Sequence, residues 1–300
     1  MDIKRVYFVM GIGILGVSFA AIFIRLSDAP SSVIAMYRML ITFILFTPFI
    51  MKKKGMDLNK IGKKSVLLAI LSGFFLALHF IAWIESLKHT TIASSTVLVS
   101  LQPLFTSLLG FMIYKERMNM KQGIGMIVAI TGSFVIGFGD FMSGGGNLYG
   151  DALAILGGVF AALYVIIGRG LRKTISNLDY VYMAYGSCTL VLFSVNLLWR
   201  VPILKYDASE WLIFLGLAIF STIGGHTIFN WSLKYVEANR VSMAMLGEPI
   251  GATLLGLLIL QEIPSNMQFI SAGIILIGLY LFMQASFKKE RNRRQEGQEL

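Results

Sequence analysis

Three hundred residues, 56% of them hydrophobic and only 14% charged, exclude a soluble fold: soluble domains carry about 25% charged residues and have too little interior to hide this much apolar side chain. The formal charge of +10, from 26 Lys and Arg against 16 Asp and Glu, invites a nucleic-acid reading that has to be tested against where the charges lie. The one cysteine, Cys188, excludes a disulfide framework and any multi-cysteine metal site. What remains is a polytopic membrane protein.

A bilayer crossing needs roughly 20 predominantly apolar residues, and ten such segments follow one another along the chain. Their limits are Val6–Ile24, Val33–Met51, Val66–Leu87, Ile92–Tyr114, Gly123–Phe138, Tyr149–Ile167, Val181–Trp199, Trp211–Leu233, Val241–Leu260 and Phe269–Phe287. Each is expected to be helical, because hydrocarbon offers backbone amides no partner and no alternating pattern suggests a barrel. Lys4-Arg5 before the first run resembles a signal peptide. The run continues to Ile24 without a small-residue cleavage site, so it is read as an uncleaved first span.

With the N-terminus inside, about 21 of the 26 basic residues fall on the cytoplasmic side and about three, Lys88, Arg200 and Lys205, on the other. The inner set includes Arg169, Arg172, Lys173, Lys234 and Arg240 in loops. The positive-inside bias sets topology, so both termini are expected in the cytoplasm and the protein in the cytoplasmic (inner or plasma) membrane. The basic segment 288–300 reads as a disordered tail beside anionic lipid. It lacks the interleaved aromatics of a nucleic-acid site, and no nucleic-acid partner is expected.

The chain also repeats itself. A shift of 146 positions aligns Ser86-Leu87-Lys88 with Ser232-Leu233-Lys234, Gln102-Pro103 with Glu248-Pro249, Leu108-Leu109-Gly110 with Leu254-Leu255-Gly256, Ile113 with Ile259 and Glu116 with Glu262. A slightly different shift aligns Phe19-Ala20-Ala21-Ile22-Phe23 with Phe160-Ala161-Ala162-Leu163-Tyr164. Each half then holds five spans, residues 1–143 with helices 1–5 and 147–287 with helices 6–10. Five is odd, so the second copy enters the membrane inverted, as in secondary transporters that bind substrate between the repeats.

The two halves resemble EamA-type domains of the drug/metabolite transporter superfamily. The likeness is clearest in Gly150-Asp151-Ala152-Leu153-Ala154, Phe160-Ala161-Ala162-Leu163-Tyr164, Glu248-Pro249 and Leu258-Ile259-Leu260-Gln261-Glu262. In the first half Arg38, Gln102-Pro103 and Tyr114-Lys115-Glu116 occupy the corresponding positions. Gln102 stands there where an acid might, so a carboxylate role would belong to one half only. The resemblance implies an all-α fold of ten helices, a central cavity lined by helices 1, 3, 4, 6, 8 and 9, and export of amino acids, amines, drugs or metabolites.

Ionisable groups at membrane depth default to functional hypotheses, and the sequence offers few. Glu248, directly before Pro249, suits proton binding and release during transport or pairing with a cationic substrate; alternatively it accepts hydrogen bonds from backbone groups freed by the proline. Pro103 and Pro249 are expected to break their helices. Ser72, His79 and Ser86 recur every seven residues, with Phe75 and Trp83 flanking His79, while Thr222, His226 and Asn230 recur every four. Either these faces line a cavity, giving His79, Trp83, Phe75, Ser86, Thr222, His226 and Asn230 as substrate-binding residues, or they bond helix to helix. Arg38 either snorkels or pairs with a carboxylate such as Glu85. Glu116 and Glu262 cap or pair within their loops, as with Lys115 and Arg117, or act with Arg38 and Glu85 as gate residues. Gly125, Ala129, Ser133 and Gly137 form a small-residue seam that seats either a neighbouring helix or the partner of a homodimer. Gly144-Gly145-Gly146 reads as a linker, since no lysine completes a phosphate loop.

No zinc-protease, nucleophile-elbow or nucleotide-binding motif occurs, so no catalytic residue, metal site or cofactor is expected, and no enzyme. The expected function is secondary transport of a small organic solute by alternating access, exporting and proton-coupled. The alternatives are an uptake carrier of the same fold and a membrane scaffold or lipid translocator.

Overall fold

The computed structural model describes residues 3–53, 56, 61–90, 92–142, 148–261 and 266–295. Among them there is no strand. The helices are α1 Ile3–Arg25, α2 Ser31–Lys52, α3 Lys63–His89, α4 Ile92–Val99, α5 Gln102–Tyr114, α6 Met120–Met142, α7 Leu148–Leu171 and α8 Asn177–Leu198, then α9 Ala208–Gly216, a π-helical stretch Leu217–His226, α10 Thr227–Ser232, α11 Ala238–Met245, α12 Glu248–Leu260 and α13 Asn266–Gln295.

Among the described residues seven helical segments are long and apolar enough to cross a membrane: α1, α2, α3, α7, α8, the continuous run Ala208–Ser232, and Ala238–Ile259. The expected span Ile92–Tyr114 divides instead into α4 and α5 around a turn at Ser100-Leu101, and Leu246-Gly247 forms the matching turn between α11 and α12. The cause is the proline at each break. Pro103 and Pro249 stand in the first turn of α5 and α12, where proline is tolerated, whereas inside a longer helix each would remove one bond and crowd the carbonyl four residues back.

The 146-residue shift seen in the sequence also relates the elements. Both ends of α2 and α8, of α4 and α11, and of α5 and α12 differ by 146. The caps of α5 and α12 follow suit: Lys115 and Gln261 both adopt the left-handed conformation, at φ 56° and 55°, which ends a helix sharply. Packing obeys the same correspondence. α3 lies against α7 as the π-helical run lies against α1, α5 lies against α7 as α12 lies against α1, and the pairs α2–α8 and α6–α13 join equivalent helices. The seam on α6 is covered by α13 within the chain: a Cβ on Gly125 would sit 2.6 Å from the Phe282 amide, and one on Gly278 2.3 Å from the Ala129 amide. The side chains of Ser133 and Gly137, and Gly144-Gly145-Gly146, lie outside the described residues.

Two expectations are corrected here. α13 continues to Gln295, so the segment expected to be disordered from 288 begins as helix. Nothing between Phe282 and Gln295 is Gly or Pro, and Lys, Arg, Glu and Gln are good helix formers. Arg169, Arg172 and Arg240, expected between spans on the cytoplasmic side, are buried; Arg240 stands 3.4 Å from the Glu237 carboxylate, and the partners of the other two are described below.

At the α1 contact with the π-helical run, the backbones nearly touch. A Cβ on Gly16 would lie 2.4 Å from the Gly224 carbonyl oxygen. Gly16→Ala is therefore expected to destabilise the protein by about 1–3 kcal/mol through overpacking. Gly123→Ala, with open space around it, should gain up to about 1 kcal/mol from helix propensity. Thermal unfolding in detergent checks both, and equal midpoints for the two variants would contradict the close approach.

Candidate functional site

The two helix breaks bring their first helical residues to one place. Gln102 and Pro103 at the start of α5, and Glu248 at the start of α12, line a common cavity with His79 and Trp83 from α3, His226 from the π-helical run, and Ser242 and Met245 from α11. The cavity has a volume of about 30 Å³. Glu248 ends up at a helix N-terminus, where the unpaired amides and helix dipole favour a carboxylate. Among the described residues it accepts no hydrogen bond, and its strongest charged neighbour is Arg38. Gln102 stands opposite in the repeat and donates to the Ser242 hydroxyl at 3.4 Å, so the two breaks carry different chemistry at equivalent positions.

His79 is oriented by the Gly157 carbonyl, 3.0 Å from Nδ1. This requires the proton on Nδ1, and in the neutral ring leaves Nε2 as an acceptor. Its ring lies nearly parallel to Trp83, with centroids 5.9 Å apart, and 6.4 Å from His226. The Trp83 Nε1 is buried with no partner among the described residues, although buried indoles usually find one.

Arg38 is fully buried. Its Nε donates to Thr222 Oγ1 at 2.8 Å, its guanidinium lies 4.5 Å over the Phe80 ring, and neither terminal nitrogen has a partner among the described residues. It neither snorkels nor pairs with Glu85. Glu85 is a half-exposed residue near the end of α3 and bonds instead to His89, one turn on, at 3.0 Å. Arg38 instead reaches the π-helical run because the wider i→i+5 winding re-aims the polar residues there. The Thr222 hydroxyl, for instance, bonds back to the Leu217 carbonyl five residues earlier.

The structure thus separates residues that the sequence spacing grouped. His79, Trp83 and His226 share the cavity, and Asn230 lines a second, adjoining void. Thr222 holds Arg38. Ser86 donates to the Trp83 carbonyl and bonds Ser95, joining α3 to α4. Phe75 stacks on Phe160, with centroids 6.3 Å apart. Gln102, Ser242 and Ser100 line the cavity without having been singled out as binding residues; the Gln102-Pro103 and Glu248-Pro249 match was the signal that pointed to them.

Glu116 does not pair with Lys115 or Arg117 as a loop residue. The Glu116 amide bonds the Gly110 carbonyl at 3.1 Å, a helix-ending return that turns its carboxylate inward. There it takes Arg169 Nε at 2.9 Å and the Ala238 amide at 3.2 Å. Arg169 also donates to the Leu233 carbonyl at 2.6 Å, and Arg172 to the Asn230 carbonyl at 3.1 Å. This network ties the end of α5 to α7, α10 and α11, next to the adjoining void that Leu233 lines. Glu262 lies outside the described residues.

A helical membrane fold made of two repeats, with a polar cavity between them, defines the class of membrane carriers. The sequence profile of the EamA-like transporter family matches residues 5–138 and 148–284, and the chain belongs to that family. It is 28% identical over 194 residues to an uncharacterised transporter of Archaeoglobus fulgidus, covering 63% of this chain and 67% of that one. It is 23% identical over 203 residues to the riboflavin transporter ImpX of Fusobacterium nucleatum, covering 66% and 67%. A solved crystal structure superposes with a TM-score of 0.76 at 16% identity, covering 96% of this chain and all of that one, which shows the shared fold.

Arg169 and Glu116 are each only 8% exposed, so removing one partner leaves a buried charge uncompensated. Glu116→Ala is expected to cost about 3 kcal/mol or more. The double variant with Arg169→Ala should cost clearly less than the sum of the singles. Unfolding midpoints of the four proteins check this; additive losses would show the pair to be uncoupled.

Proposed function

We propose that this protein is a secondary transporter that exports small organic solutes, amino acids or amines among them, across the cytoplasmic membrane by alternating access. In this reading the chain crosses the membrane ten times as two inverted five-helix repeats, residues 1–143 and 147–287, with both termini in the cytoplasm. The observation that carries the proposal is the cavity where Glu248 of one repeat faces His79, Trp83 and Gln102 of the other. A site shared by two repeats changes shape whenever one moves against the other.

Glu248 takes the central role. It is a carboxylate at a helix start with no hydrogen bond among the described residues, free to exchange a proton or to meet a cationic head group. His79 and Trp83 offer a flat aromatic wall that suits the apolar part of an amphipathic solute or a cation. Arg38 is the charged group that acts most strongly on Glu248. The network around Glu116 and Arg169 bridges the repeats at one end of the cavity and acts as a gate that must part when that end opens. A second reading is favoured by the Fusobacterium relative, whose name is that of a riboflavin transporter: a flat aromatic solute stacked on Trp83.

In proteoliposomes, Glu248→Gln should abolish the dependence of solute counterflow on pH while leaving the folded protein intact. Unchanged pH dependence would overturn the coupling role. His79→Ala should weaken the thermal stabilisation that candidate amines and amino acids give the wild type.

A further inference from the structure

From Leu217 to His226 the chain is π-helical, a winding that is rare beyond single-turn bulges and frequent at functional sites. Its side-chain hydrogen bonds show what holds it. The Thr222 hydroxyl donates to the Leu217 carbonyl at 3.1 Å, and the Thr227 hydroxyl donates to the Thr222 carbonyl at 3.0 Å. The Thr227 amide bonds that same carbonyl. Every step spans five residues. In an α-helix such hydroxyls bond back four residues, as Ser18 does to Ile14, Thr42 to Arg38, Thr189 to Tyr185 and Ser232 to Ile228. Thr222 and Thr227, themselves five apart, thus pin the wider winding along its length.

Both threonines are held in turn from other helices. Arg38 on α2 donates through Nε to Thr222 Oγ1 at 2.8 Å, and Tyr185 Oη on α8 lies 3.1 Å from Thr227 Oγ1. The Thr222 hydroxyl gives its one proton to the Leu217 carbonyl and takes Arg38 on a lone pair, so both bonds are made at once. What the winding governs lies just beyond it. His226, which ends the run, lines the cavity, and Asn230, four residues on, lines the adjoining void and donates to the Tyr164 and Tyr185 hydroxyls. At 3.6 residues per turn each residue turns an α-helix by about 100°. Giving up one residue of register would therefore carry His226 and Asn230 round by about that angle relative to α9.

We infer that Thr222 is a positioning residue of the solute site: with Thr227 it fixes the five-residue winding, and so the direction in which His226 and Asn230 are presented. Thr222 acts through His226 rather than by touching the solute, and Arg38 acts on the site through Thr222. The role at the site rests on the reading of the cavity as the solute site; the hold on the winding does not.

The test uses the full chain in lipid nanodiscs, with histidine isotope-labelled on its ring nitrogens for magnetic resonance. The chain has three histidines, and His79→Gln, His89→Gln and His226→Gln assign their signals. Thr222→Val keeps the side-chain shape and removes the hydroxyl. It should move the His226 signals and leave those of His89, at the far end of α3, in place. Thr222→Ser keeps the hydroxyl and should give the wild-type spectrum. Thr227→Val should move the same His226 signals from the other end of the ladder, so the test stands if one valine variant does not fold. In equilibrium binding of n-butylamine and norleucine, Thr222→Val should lose about tenfold in affinity, and Thr222→Ser should bind as the wild type does. His226 signals that stay in place in the valine variants, or that move as far in Thr222→Ser as in Thr222→Val, would overturn the positioning role. If the spectra change as expected but neither probe's affinity follows them, the hold on the winding stands and the reading of the cavity as the solute site fails.

Discussion

Hydrocarbon offers no hydrogen-bond partner, and the backbone groups of the spanning segments have to be satisfied by the chain itself. The helices solve this for the backbone except where a helix starts or stops. At the turns Ser100-Leu101 and Leu246-Gly247 the chain stops and restarts twice within the bundle, and both restarts are enclosed by the opposite repeat. The cavity is the consequence. Broken backbone is tolerated at membrane depth where it is buried in protein or lines a water-filled space, and here the interrupted helices meet their counterparts across the repeat interface.

The same constraint explains the buried cations. Arg169 and Arg172 are held by Glu116 and by carbonyls at the ends of α10 and of their own loop. These are carbonyls that a helix end leaves without an intrahelical donor. Arg38 is different. One hydrogen bond and one aromatic face hold it. Glu248 lines the cavity, and Glu116 joins the end of α5 to Arg169 and the Ala238 amide.

Much of this organisation is legible in the sequence because it follows from period and composition. The helices and the 146-residue duplication come from apolar run lengths and from the paired Gln102-Pro103 and Glu248-Pro249, and the structure repeats that shift at the ends of α2, α4 and α5. Polar residues on apolar helices marked His79, Trp83 and His226 for either a cavity or a helix-to-helix contact, and all three line the same pocket. What was not legible depends on tertiary geometry. The partner of Arg38 was misjudged because a π-helical run changes the winding between Leu217 and His226, and spacing arguments assume 3.6 residues per turn. Arg169 and Arg172 looked like ordinary positive-inside residues, since nothing local marks a basic side chain that folds back onto carbonyls. Ser86 and Phe75 share the helical face of His79, yet they meet α4 and Phe160, because a face wide enough to hold several residues touches more than one neighbour.

The central claim is that the two repeats lie in the membrane in opposite orientations, and the equivalent caps of α5 and α12 test it most directly. Lys115 and Gln261 are both exposed and share the left-handed conformation at corresponding positions, while the native Cys188 is buried and silent. Lys115→Cys and Gln261→Cys, made singly, would be exposed to a membrane-impermeant thiol reagent in right-side-out and inside-out vesicles. The account predicts labelling of Lys115→Cys from the cytoplasmic side alone and of Gln261→Cys from the opposite side alone; labelling of both from the same side would contradict it.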